Sequence, residues 1–209
     1  MNITAQDRSK AFGQTPTLGS GQTGFAATGS VGSQTVGTVT LTASGGTAAN
    51  DAAGTYVLTP SAATGGTFAA GNYELNYLPG TLTVQGQSYA DWAAGRTNNA
   101  PNLDPDGNGL SNLMEYFMGI NDGNPLSGPA MVLTNSESGM SMTFRRFKGL
   151  AGVTGWIEHV TDLGASAWDT NGVTVKQVVD RGTYEEVTVE VAPAPGETRK
   201  FMRLKVSQP

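Results

Sequence analysis

The chain has 209 residues, a formal net charge of −5, one histidine and no cysteine. The missing cysteine excludes disulfide frameworks, thiol nucleophiles and Cys-ligated zinc, and an acidic balance without a basic cluster argues against nucleic acid as a partner. A hydrophobic fraction of 38% beside a charged fraction of 14% fits a folded protein, and no apolar run reaches membrane-span length.

Charge is unevenly distributed along the chain. Residues 1–87 hold five charged side chains, Asp7, Arg8, Lys10, Asp51 and Glu74, and about half of the 29 glycines. A stretch so poor in charge and rich in Thr, Val, Tyr and Gly reads as β-sheet with tight turns. Residues 34–43 set Val39 and Leu41 against Thr38, Thr40 and Thr42, the period-2 pattern of a half-buried strand. Residues 55–60 form a second candidate strand. Residues 72–84 predict a hairpin, with Tyr73, Leu75 and Tyr77 on one arm, Leu82 and Val84 on the other, and Pro79-Gly80 suited to a type II turn. Ser44-Gly45-Gly46-Thr47 lacks the Gly-Lys-Ser/Thr helix of a phosphate cradle and reads as a turn. Lys10 and a strand Asn such as Asn72 are the residue types of an isopeptide cross-link.

Two motifs here carry a resemblance. Lys10-Ala11-Phe12-Gly13-Gln14-Thr15-Pro16 and the closing Asn72-Tyr73 with Gly80-Thr81-Leu82-Thr83-Val84 resemble the bacterial extracellular MBG-type β repeat, over about residues 3–84. Phe12 replaces the more usual Tyr. The resemblance implies a stalk or adhesive module, strung in tandem in large secreted or surface-attached proteins. The start, Met-Asn-Ile-Thr, has neither a basic n-region nor an apolar core, so a signal peptide is expected upstream in a longer protein.

A short helix is expected over residues 89–94, then a break across residues 95–101. Next comes Asp104-Pro105-Asp106-Gly107-Asn108-Gly109-Leu110-Ser111-Asn112-Leu113-Met114-Glu115. It matches D-x-[DN]-x-[DN]-G-x5-E, the twelve-residue calcium loop, at every specified position. Calcium takes six to eight oxygen ligands, and the spacing offers them. Asp104, Asp106 and Asn108 supply side-chain oxygens, Leu110 a carbonyl, Asn112 a direct or water-mediated contact, and Glu115 both carboxylate oxygens. Gly109 permits the sharp turn. The bland alternative is an Asx-rich surface turn, but three carboxylates so placed repel one another without a cation. Calcium (Ca2+) is therefore the expected cofactor. A helix should leave the loop and stop at Gly119. With no full entering helix, the loop is closer to dockerin-like or thrombospondin-type-3-like loops than to a paired sensor, which points to a structural clamp.

Residues 106–116, with Gly119 and residues 121–125, resemble a D-G-D-G-L-S-N-L-x-E-Y…G-x-D-P segment near the C-termini of large exported proteins of Verrucomicrobia-type bacteria. There a small β-domain follows. Here residues 140–147, 155–160, 173–179, 185–191 and 201–206 alternate as strands and predict a small antiparallel sandwich of about six strands. In the last, Met202, Leu204 and Val206 face one way, and Phe201, Arg203 and Lys205 the other.

Candidates for catalysis are thin. His159 reads as an ordinary strand residue, and Glu185 and Glu186 point to opposite faces, so they cannot flank one bond. Trp92, Trp156 and Trp168 read as core, with a sugar-stacking platform as the alternative. Arg145, Arg146 and Lys148 make a basic spot too small for a polyanion.

The fold class is thus mainly β: two small β-domains, the first a β-sandwich or β-grasp-like repeat and the second an antiparallel sandwich, joined by a short helical calcium-loop segment. The expected boundaries are 1–86, 87–126 and 127–209. The expected function is a non-enzymatic module of a secreted or cell-surface bacterial protein, with a calcium site clamping the two β-domains. The expected partners are a surface ligand, glycan or protein, or neighbouring copies of itself. A carbohydrate-binding appendage of a secreted enzyme and a self-assembling surface fibre subunit stand as alternatives.

Overall fold

The computed structural model describes residues 1–120, 129–136 and 139–208, so the expected motif over residues 121–125 lies outside the described residues. The fold is mainly β, with several small sheets and two short α-helices. It divides into two compact units, Met1–Gly86 and Gln87–Pro209.

In chain order the first unit contains β1 (Asn2–Ala5), β2 (Arg8–Ala11), β3 (Gly19–Gln22), β4 (Phe25–Thr28), β5 (Val36–Ala43), β6 (Gly54–Gly66), β7 (Asn76–Leu78) and β8 (Gly80–Gln85). A five-stranded sheet runs β2-β8-β6-β5-β3, and a three-stranded sheet runs β4-β1-β7. Ile3 and Ala5 of β1 pack with Val39 and Leu41 of β5 and Leu58 of β6, which closes a core between the sheets. The alternation in β5 falls as the sequence predicts, with Val39 and Leu41 buried. Strand β6 carries a bulge near Ala62, which has a positive φ of 48°.

The hairpin expected over residues 72–84 is not formed. Its arms lie in different sheets: β7 pairs parallel with β1, while β8 pairs parallel with β2 and antiparallel with β6. Pro79 has no N–H to continue a ladder, and the chain crosses between sheets at that point. Gly80 passes against β1 so closely that a Cβ there would lie 2.5 Å from the Ala5 carbonyl oxygen. The Asp7 carboxylate accepts the Thr81 N–H at 2.8 Å and pins the crossing. Hydrogen bonding from the Thr81 side chain, and then from its backbone N–H, holds the Asp7 carboxyl below its usual range.

The second unit contains β9 (Gln87–Ser88), α1 (Tyr89–Ala93), α2 (Asn112–Met118), β10 (Met131–Ser136), β11 (Gly139–Phe147), β12 (Leu150–Ala151), β13 (Thr154–Val160), β14 (Val173–Asp180), β15 (Tyr184–Val191) and β16 (Phe201–Ser207). An antiparallel sheet runs β10-β11-β15-β14, and β13 pairs with β16 in a separate antiparallel ribbon. Strand β10, which the sequence does not mark, is an edge strand with almost no buried residue, so it shows no alternation to read. Met142, Phe144, Val187, Val189 and Val191 of the sheet share a core with Ile157, Met202 and Leu204 of the ribbon and with Phe117 and Met118 of α2. A second cluster gathers Tyr89, Trp92, Ala93 and Tyr116. In it the Tyr116 hydroxyl bonds to the Gln87 carbonyl and to Ala151, joining α2 to the parallel β9–β12 pair.

The sheet crossing in the first unit yields a direct test. Gly80→Ala drives a methyl group into the Ala5 carbonyl and lowers stability by about 1–3 kcal/mol, the usual range for overpacking. Hydrogen exchange on the full chain should show faster exchange in β1 and β8, with β15 and β16 unchanged.

Candidate metal site

The loop of residues 104–115 lies within the second unit. Helix α2 starts because Ser111 is a good N-cap, its hydroxyl accepting the Met114 N–H. It ends at Gly119, whose left-handed φ of 67° lets its N–H reach the Glu115 and Tyr116 carbonyls. A Cβ at Gly119 would also meet the Phe147 side chain at 3.0 Å. Upstream, Gly107 and Gly109 adopt φ of 72° and 86°, which wind the chain around the acidic side chains.

Asp104 accepts three backbone amides, from Gly107 at 2.9 Å, Asn108 at 3.2 Å and Gly109 at 2.9 Å. Asp106 accepts the backbone N–H of Asn108 at 3.2 Å and its side-chain amide at 2.9 Å. The same Asn108 Nδ2 donates to Glu115 Oε1 at 2.8 Å, and Asn108 Oδ1 accepts the Leu110 N–H at 2.8 Å. Asn108 thus joins carboxylates nine residues apart in sequence. A positive amide hydrogen lies between two acidic groups that would otherwise repel.

Of the six residues marked in the sequence, Asp104, Asp106, Asn108 and Glu115 are gathered in this one network. Leu110 turns its side chain into the core beside Phe117. Asn112 does something else: its buried amide donates to the carbonyls of Asn98 at 2.8 Å and Ala100 at 2.9 Å, fastening the upstream segment to the helix. Its residue still lines, with Asp106 and Glu115, a pocket of about 300 Å³ that Gly95, Arg96, Thr97 and Pro105 complete.

Among the described residues no three acidic or histidine side chains converge as a finished metal cage. The donor chemistry nevertheless suits calcium: hard oxygen atoms, three carboxylates and a glycine turn in one loop. Asp106 Oδ2 and Glu115 Oε1 both lie within hydrogen-bond reach of the Asn108 side-chain nitrogen, at 2.9 and 2.8 Å.

The other sequence candidates resolve into structural roles. Lys10 is buried, and its ammonium donates to the Gln14 carbonyl at 2.7 Å and the Ala48 carbonyl at 2.5 Å. It ties two turns to β2, and no cross-link to Asn72 is indicated. The His159 Nε2 lies 2.8 Å from the Asn171 carbonyl. A carbonyl only accepts, so Nε2 carries the proton. Glu185 pairs with Arg146, Glu186 with Arg181, Lys148 with Asp180, and Arg145 stacks 3.8 Å from the Tyr184 ring centroid.

The tryptophans divide. Trp92 is core, as expected. Trp156 and Trp168 belong to no core cluster and are half-buried, which corrects the core reading for both. Trp156 bonds to a buried acid the sequence did not single out, Glu158, and Trp168 stacks on that acid's partner, Arg203. Glu158 accepts Trp156 Nε1–H at 2.9 Å and a two-pronged clamp from Arg203, Nε at 2.9 Å and Nη2 at 2.7 Å. Lys205 Nζ lies 3.4 Å from the other oxygen. These bonds, the indole's first and then the guanidinium's, hold the Glu158 carboxyl below its usual range.

Comparison with known proteins covers the first unit. Residues 1–83 match the family model described as MBG domain (YGX type), and Phe12-Gly13-Gln14 is a tripeptide of that shape with Phe for Tyr. No curated protein and no solved structure matches the chain. Among the described residues no helix is long and apolar enough to cross a membrane.

The Glu158 network carries a pH dependence. A carboxyl lowered by folding contributes stability above its ordinary value of 4.5 and loses it as the pH falls through the folded value. Asp169, Asp180 and Glu197 are lowered too. The second unit should therefore hold its stability down to about pH 4.5 and lose it in more acidic solution. Thermal melts between pH 7 and 3 should show Glu158→Gln less stable than wild type at neutral pH, with the gap closing in acid. A constant gap would show that the ionised carboxylate is not what the network uses.

Proposed function

We propose that this chain is a non-enzymatic module of a larger secreted or cell-surface bacterial protein, adhesin or stalk in type, with a first unit of MBG kind and a second unit fastened by calcium. The MBG match over residues 1–83 supports the module reading, since such domains occur in extracellular proteins. The observation that carries the calcium reading is that Asp106 and Glu115 both accept from the Asn108 side-chain nitrogen, while Asp104 accepts the backbone N–H of the same residue.

Asp104, Asp106, Asn108 and Glu115 would hold the ion, with the Leu110 carbonyl and Asn112 as further oxygens of the same loop. Bound calcium supplies positive charge that neutralises the carboxylates. The chain's own residues translate that into order. Glu115 sits in the first turn of α2, and the following residues, Tyr116 and Phe117, enter the two cores of the second unit. Fixing Glu115 therefore fixes the helix, and through Asn112 the segment before it. Extracellular modules bind calcium with Kd of about 10⁻⁴–10⁻³ M, so millimolar calcium adds about 0.5–2 kcal/mol by linkage. That suits a permanent fastening outside the cell.

Calorimetric titration with calcium, with melts in calcium and in EGTA, tests the reading. One site and a higher melting temperature in calcium are expected, both lost in Glu115→Ala. Equal melts of the wild type in calcium and EGTA, with no binding heat, would reduce residues 104–115 to a structural turn.

A further inference from the structure

The outward face of the β13–β16 ribbon is an unusual surface. Antiparallel pairing sets Trp156 opposite Lys205 and Glu158 opposite Arg203. Ile157, Met202 and Leu204 turn into the core, so the other four residues share the opposite face. Arg203 clamps Glu158 and also stacks against Trp168, its guanidinium carbon 4.0 Å from the ring centroid. Lys205 stands 5.5 Å from the Trp156 ring. Trp168 is held in turn by its neighbour, because Asp169 exchanges two backbone hydrogen bonds with His159, at 2.8 and 2.9 Å.

We infer that this face is a binding platform for a neutral polysaccharide, with the indoles of Trp156 and Trp168 stacking on pyranose rings and the half-exposed Arg203 and Lys205 side chains donating to hydroxyls. Three features point to that class of ligand. Two large aromatic rings lie outside every core cluster and are half-buried, each with a cation on one side. Both rings are fixed before any ligand arrives, by the Trp156–Glu158 hydrogen bond and by the Arg203 stack, so binding costs little side-chain entropy. Charge is close to balanced, since Glu158 and Asp169 offset Arg203 and Lys205. A balanced face with many donors and acceptors suits hydroxyl-rich uncharged chains and gives a polyanion no net attraction. The inference uses no residue of the calcium loop and stands without it.

Affinity gel electrophoresis of the full chain in laminarin, xylan, galactomannan and dextran, with dextran sulfate as contrast, tests the platform. Retardation by at least one neutral polysaccharide is expected, with binding weakened about tenfold or more in Trp168→Ala, as for a central aromatic anchor. Trp168→Phe should recover part of it, which a purely structural role would not require. Trp156→Ala should weaken binding similarly, and near-ultraviolet circular dichroism checks that each variant is folded. Retardation in EGTA should match that in calcium; retardation lost in EGTA but kept in the Trp variants would place binding elsewhere and overturn the inference. So would retardation by dextran sulfate alone, or none by any neutral polysaccharide.

Discussion

Everything recognisable in the second unit depends on a seven-residue helix that cannot stand alone. Two turns of helix pay the nucleation cost without enough propagation to recover it, and isolated helices this short do not persist in water. Helix α2 persists because consecutive residues anchor it in different directions. Tyr116 is fully buried against Tyr89 and Trp92, and Phe117 is buried against Phe144 and beside Gly155, where a Cβ would meet its ring at 2.5 Å. Burying a phenylalanine side chain is worth about 1.5–3 kcal/mol, comparable with everything a loop metal could add from millimolar solution. The helix is held by packing first, and the loop inherits its position from the helix.

That order explains the form of the acidic loop. A calcium loop whose flanking helix is unanchored must be organised by the ion itself, whereas here Ser111, Gly119 and the two clusters already fix one end. Gly107 and Gly109 give Asp104 a set of backbone amides to accept, and Asn108 spans Asp106 and Glu115. Each of these carboxylates accepts hydrogen bonds from donors of the chain. Binding in such a loop exchanges one set of donors for another.

What could be read from the sequence was local. The alternation of Val39 and Leu41 and the helix end at Gly119 are each encoded within a dozen residues, and each appears where the pattern places it. What could not be read was pairing at a distance. Asn72 to Val84 has every mark of a hairpin, yet Pro79 and Gly80 carry the chain from one sheet to another because β1 and β2 lie alongside both arms, about seventy residues earlier in sequence. Asn112 fits a calcium ligand by spacing, and the sequence gives no sign that its amide nitrogen donates to the carbonyls of Asn98 and Ala100. Glu158 looked like one more strand residue, since its partner Arg203 is 45 positions away.

The two units differ in how they tolerate polar residues, and the difference bears on what each can do. In the first, five charges serve eight strands, and the buried Lys10 is solvated by two backbone carbonyls, so the unit is built from backbone hydrogen bonds and small side chains. Such a surface offers little for selective recognition, which requires fixed polar groups beside apolar area. The second unit keeps its charges in pairs across neighbouring strands and places one of them, Glu158 with Arg203, under tryptophan. Side chains locked by charge-assisted bonds on rigid strands are what a recognition surface needs and what a spacer does not. Under the reading proposed above, the first unit would serve as the spacer and the second as the recognition unit.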